Sequence, residues 1–252
     1  MKKFFACFIL SLLILGQYSI AMENEYEQRS RKNYKIKTEK IKKSKNIENE
    51  ENIYAEKTNP LYPAKYTPEY ISKIKGEYSC SAKNENIIVA LDMLKDTNGE
   101  FSRTAILGNN LSKRPIKIEY RDLGSINESY QSYDALGWKR GRNLYIFISK
   151  RHENAPSIAI AALLAHEALH QDQYNSLAEE TYAWTMEAAV WCELLEIYED
   201  FELGFDPLVQ RENTLKKLFE KGNYTSKYIR KTILSNESYK DLPQCSPGFE
   251  KL

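Results

Sequence analysis

The sequence is poor in histidine, with three in 252 residues, and poor in cysteine, with four. It has no excess charge of either sign: the formal net is +1, so no field drives the whole molecule towards nucleic acid or a membrane surface. It has no internal repeat, and beyond its first twenty or so residues no apolar run long enough to cross a bilayer, which takes roughly 20 residues. What it does have is 42% hydrophobic and 12% aromatic residues, enough for one ordinary domain with a real core, with or without a disordered arm.

The N-terminus reads as a targeting segment. Lys2 and Lys3 precede a mostly apolar stretch from Phe4 to Gly16, and Ser19-Ile20-Ala21 offers small residues for a signal peptidase. Residues 1–21 are therefore expected to be a cleaved signal peptide, the alternative being an uncleaved membrane anchor. The mature chain would begin at Met22 and be secreted or periplasmic. Export removes Cys7 and leaves Cys80, Cys192 and Cys245, so at most one internal disulfide is possible. Cys192 follows Trp191 in an apolar helical pattern and reads as buried, while Cys80 and Cys245 lie in loop-like contexts and are the candidate pair. Residues 22–66 carry a basic run (35–45), an acidic run (48–51) and too few apolar residues to offset ordering entropy, and are expected to form a disordered charged arm.

From 67 to 252 the pattern is globular. Asn86 to Lys95 fits a helix, Pro115 to Tyr120 alternates as a half-buried strand, Tyr130 to Trp138 suggests a second strand, and Asn143 to Ser149 a strong third. Thereafter the periodicity is helical almost to the end. Strands first and helices second predict an α+β fold with the sheet on one side.

The chemistry concentrates in Ala155-Pro-Ser-Ile-Ala-Ile-Ala-Ala-Leu-Leu-Ala-His-Glu-Ala-Leu-His170. Asn154 can cap this helix and Pro156 suits its first turn. The helix is apolar nearly all round, so polar groups within it need partners. His166 and His170 lie four residues apart, on one helical face, where two imidazoles can chelate one Zn²⁺. Glu167, on the flank of that face, can reach a metal-activated water without ligating the metal. Two of the three histidines of the chain fall in this pattern.

Catalytic zinc takes three protein ligands and keeps one position open. A metzincin would need histidine at position 176, which is Ser, so that family is excluded. Ser176 and Glu179 instead stand at capping-box spacing, with Ser176 capping a second helix and Glu179 turning back to its backbone. Glu180, one residue deeper, is then free to be the third ligand, with Glu179 and Glu187 as alternatives. Ala183 would let the two helices approach closely, and Trp184, Glu187 and Trp191 continue the same face.

His-Glu-x-x-His followed by a helix reading Glu-Glu-x-x-Ala resembles the gluzincins, the small ones with a minimal thermolysin-like core above all. The resemblance covers roughly residues 143–200. It implies zinc bound by His166, His170 and Glu180, Glu167 as general base, and peptide or protein substrates. It also implies that Asn143 to Ser149 is the edge strand on which an extended substrate pairs. The nine residues between His170 and Glu180 are fewer than in thermolysin, which keeps the alternative ligands open. The expected activity is peptide hydrolysis by zinc-activated water. The alternative from another class is a non-catalytic secreted binding domain with a structural or relic zinc site. Asp172 is a candidate partner for a ligand histidine, Tyr145, Tyr174 and Tyr182 are candidate oxyanion donors, and His152 reads as a loop residue.

Overall fold

The computed structural model describes residues 61–108, 114–170 and 175–245, all within the compact unit Glu56–Leu252. The expected signal peptide, and the arm as far as residue 60, lie outside the described residues. Helices α1 (Pro68–Tyr78), α2 (Glu85–Met93) and α3 (Glu100–Leu107) come first. Strands β1 (Lys117–Arg121), β2 (Ala135–Arg140) and β3 (Asn143–Ser149) follow, and then helices α4 (Ser157–Glu167), α5 (Leu177–Ile197), α6 (Pro207–Lys221) and α7 (Lys227–Leu234). The class is α+β, as expected, but the strands do not come first. Only α2 of the leading helices is legible as an apolar run. In α1 a charged sequence buries just Ile71, Ile74 and Tyr78, and Thr67 caps it by accepting the Tyr70 N–H.

The expected arm ends too late. Tyr66 is buried and donates its hydroxyl to Asp92 at 3.0 Å, while the Leu61 carbonyl accepts the Ser157 N–H at 2.9 Å. Residues 61–66 thus belong to the folded part, pinned to the start of α4.

The sheet has the order β1-β3-β2, with β1 parallel and β2 antiparallel to β3. This corrects the expectation that Asn143 to Ser149 is an edge strand: β3 is hydrogen-bonded on both sides, and β2 is the antiparallel edge. With Ile146 and Ile148 on one face and Phe147 on the other, each 3% exposed or less, β3 is covered on both faces, as a central strand is. The second strand is Ala135–Arg140 rather than 130–138, because Tyr130 closes a short 3-10 turn and Gly141, at φ 59°, makes the turn into β3.

Ile118, Ile146 and Ile148 join Ile87, Ile88, Leu91, Ile158 and Leu164 in one core centred on α4, every residue of which is buried. Pro156, not Asn154, occupies its N-cap position, with no side-chain cap. Asn86 and Ser102, themselves buried, hold the carbonyls of Ala155 and Ala165 at 2.9 and 2.7 Å. The second bond has a local cause. The helix tightens after Glu167, so that Leu169 N–H bonds the His166 carbonyl rather than that of Ala165, and Ser102 takes the carbonyl this frees.

Cys80 and Cys245 are both free and exposed, which corrects the expected disulfide, and Cys192 is buried and free. The C-terminal segment that carries Cys245 is committed elsewhere: the carbonyls of Pro243 and Gln244 accept the N–H groups of Leu177 and Ala178 at the start of α5. No helix of the described residues is long and apolar enough to cross a membrane.

Candidate metal centre

Burial forces the centre's geometry. His166 stands in the last turn of α4 and is 5% exposed, while Glu180 and Glu187 on α5 are 4% and 0% exposed. Charged and polar groups so placed require partners, and they find one another. His170 lies just past the tightened end of α4 rather than within the helix, yet its Nε2 sits 3.0 Å from Nε2 of His166.

The other nitrogen of each ring is committed. His166 Nδ1 donates to Glu187 Oε2 at 2.9 Å and His170 Nδ1 to Glu179 Oε1 at 2.8 Å. A carboxylate at Nδ1 fixes that tautomer and leaves Nε2 as a bare lone pair. Two lone pairs therefore face each other across 3.0 Å, which calls for a cation or proton between them. Glu180 Oε1 lies 3.6 Å from His170 Nε2, and its Oε2 is buried without a hydrogen-bond partner. Asn175 donates to Oε1 of the same carboxylate.

One donor atom from each of His166, His170 and Glu180 lies within 4.8 Å of the others. Ligand atoms on a tetrahedral zinc, with bonds of about 2.0–2.1 Å, stand about 3.3 Å apart. The donor set is an imidazole pair and a carboxylate with an orphaned oxygen, a group that could hold a metal ion and is of the kind zinc takes. Burial alone would lower the His170 pKa, but its hydrogen bond to Glu179 and the charges of Glu167 and Glu180 raise it to about 9. In the metal-free state a proton is thus held where a cation fits.

This revises two sequence readings. Ser176 does cap α5, accepting the Glu179 N–H at 3.2 Å, but Glu179 does not close a capping box. The Ser176 N–H is taken instead by Asn175 Oδ1 at 2.7 Å, and Glu179 turns to His170. Glu187, the other alternative ligand, sits behind His166 rather than among the three donors. Glu180, Ala183, Trp184, Glu187 and Trp191 do share one face of α5, with Ala183 fully buried.

Glu187 is held from behind. Both terminal nitrogens of Arg211 on α6 bond its two oxygens, Nη2 to Oε2 at 3.0 Å. Arg211 Nε reaches Asp134 Oδ2 at 3.2 Å, at the start of β2, and Asp134 Oδ1 meets Nε2 of the buried His152 at 2.7 Å. Burial opposes ionisation of both carboxyls, but Arg211 and His166 hold Glu187, and His152, Arg211 and Arg151 hold Asp134, below the usual carboxylate range. Glu212, fully buried and 3.0 Å from Arg211 Nη1, has its pKa pushed the other way by burial and by the charge of Glu187. Glu167 is also buried, and desolvation raises its pKa.

Of the remaining candidates, Asp172 and Tyr174 lie outside the described residues. Tyr145 pairs with Trp138 on the sheet face opposite Gly137, and an added Cβ on Gly137 would lie 3.8 Å from the His170 Cβ. Tyr145 is therefore turned away from the centre. Tyr182 is 47% exposed on α5. Sequence reasoning passed over Tyr239, whose ring meets Trp184 edge-on at 6.1 Å and whose phenol is held above its usual pKa by burial and by the charge of Glu180. One tyrosine among eighteen, far down the chain, carries no signal until the C-terminal segment folds back on α5. Comparison with protein-family models, with curated proteins and with solved structures gives no match.

Proposed function

We propose that the chain is an exported zinc-dependent peptidase of the gluzincin kind, holding zinc on His166, His170 and Glu180. The observation that carries this reading is the approach of the His166 and His170 Nε2 atoms to 3.0 Å, each ring anchored through Nδ1 on its own carboxylate, beside the orphaned oxygen of Glu180. When bound, zinc supplies a Lewis acid for the scissile carbonyl and brings the pKa of a bound water towards 7. Glu187 and Glu179 hold the two imidazoles in the required tautomer. Glu167, ionised beside the cation, takes the proton of the attacking water and delivers it to the leaving amine, and its buried position suits a carboxyl that must do both. A site serving only structure has no use for that carboxylate. An extended peptide would pair along the outer edge of β2, unpaired among the described residues, which runs past His170 at Gly137.

The test is hydrolysis of casein and of a peptide library by zinc-loaded residues 22–252. Cleavage that a chelator abolishes, that added zinc restores and that Glu167→Gln lacks supports the reading. A zinc-loaded chain that cleaves nothing defeats it.

A further inference from the structure

Between Ala135 and His152 the chain has no Asp or Glu but carries Lys139, Arg140, Arg142, Lys150 and Arg151. Against a whole-chain net of +1 this is a local concentration of positive charge, and three of the five, Lys139, Arg140 and Arg142, lie at the tip of the β2–β3 hairpin. Arg151 is committed to Asp134 and to the carbonyls of Gln131 and Ser132. Lys139, Arg140 and Arg142 are exposed, and no ion pair joins them to another described residue.

The register places these cations relative to the centre. An added Cβ on Gly137 would lie 3.4 Å from the His170 carbonyl oxygen, so the Gly137 face of β2 is the one turned to the metal ligands. Side chains alternate along a strand, so Lys139 leaves from that same face, about 7 Å farther along, while Trp138 and Arg140 leave from the other. β2 is also an edge, paired only with β3 among the described residues. An edge strand accepts an extended peptide as an added strand, and residues opposite each other on one face then have Cβ atoms about 4.5–5.5 Å apart. That is within reach of a lysine–carboxylate pair. Two residues along from Gly137, the exposed Lys139 favours an acidic residue opposite it.

We infer that the substrate is an extended acidic peptide, with an Asp or Glu side chain set against Lys139 and with Arg140 and Arg142 adding attraction at the tip of the hairpin. This rests on the peptidase reading, and the test separates the two. Zinc-loaded Glu167→Gln protein, full length from Met22, is titrated with fluorescently labelled extended peptides that differ by one Glu-to-Gln change, and Kd is read by anisotropy. The Glu peptide is expected to bind roughly fivefold tighter, as a single accessible ion pair allows, with the difference shrinking at high salt. Lys139→Glu should abolish or invert the difference, and Arg140→Gln with Arg142→Gln should weaken both peptides without removing it.

Equal Kd values for the two peptides, or a preference that survives Lys139→Glu, overturn the inference. So does binding to phosphatidylserine-containing vesicles that Lys139→Glu abolishes while peptide discrimination is absent, which would assign the cations to a membrane surface. Turnover of acidic and neutral peptides by wild-type protein at equal kcat/KM sinks the acidic preference and leaves the peptidase reading standing. Discrimination in binding with no turnover of either peptide does the reverse.

Discussion

Glu187 is the hinge between His166 and Arg211: it accepts the imidazole Nδ1–H at 2.9 Å and both terminal nitrogens of the guanidinium. A metal ligand is thereby oriented by a carboxylate that is itself fixed from a third helix. Glu187→Gln keeps an acceptor for His166 but loses the charge that holds Arg211. Zinc affinity, measured by competition with a chromophoric chelator, should fall by about 10–100-fold, the usual effect of removing an orienting partner. Glu187→Ala also takes from the Arg211 guanidinium its two-bond partner, leaving it Asp134 and Glu212, and should cost about 2 kcal/mol in urea unfolding. Unchanged zinc affinity in Glu187→Gln would show that His166 is oriented by something else.

The adjacent glutamates at the start of α5 should separate cleanly. Glu180→Ala removes a charged donor and should empty the site. Glu179→Ala should retain zinc with affinity reduced by about 10–100-fold, because it releases only the orientation of His170. Helix stability should hardly change in Glu179→Ala, since the Ser176 hydroxyl makes the cap, whereas Ser176→Ala should cost about 1 kcal/mol. Zinc retained by Glu180→Ala at wild-type affinity would remove it from the ligand set.

How far the centre could be read in advance depended on distance along the chain. His166, Glu167 and His170 share one helix end, so their spacing alone brings them together. Glu180 follows on the next helix, and its burial is legible from the apolar residues around it. The role of Glu179 was misread because a capping box and a histidine partner call for the same residue at the same spacing, and only the tertiary approach of His170 decides between them. Asp134 and Arg211 were invisible: they lie 53 residues before and 24 residues after Glu187 and meet only once β2, α5 and α6 pack. The strand order failed for the same reason, since nothing in the apolar run of β3 says that β1 will pair in parallel on its far side.

Glu167 makes a prediction about stability in the metal-free protein. Burial raises its folded pKa above the unfolded value of about 4.3, so the ionised form costs stability once pH exceeds that value. Metal-free Glu167→Gln should therefore be more stable than wild type at pH 7, with the advantage shrinking towards pH 4, in parallel urea titrations. A variant less stable at pH 7 would contradict the buried, strained carboxylate.

Asp134 and Glu187 predict the opposite slope. Their folded pKa values are depressed, so the stability they supply is complete above the ordinary carboxylate range and is lost as pH falls through and below it. Asp134→Asn should lower the urea midpoint at pH 7, by less at pH 3, with the deficit still shrinking as pH falls further towards the depressed folded pKa. An equal deficit at both values would mean that the Asp134–Arg211 link contributes by shape rather than charge.

The most direct test of the central claim is zinc stoichiometry by elemental analysis of purified residues 22–252, beside a His166→Ala, His170→Ala double variant shown to be folded by circular dichroism. The account predicts one zinc per wild-type chain and none in the folded double variant. Near-unit zinc in both, or none in wild type after equilibration with zinc, would contradict it.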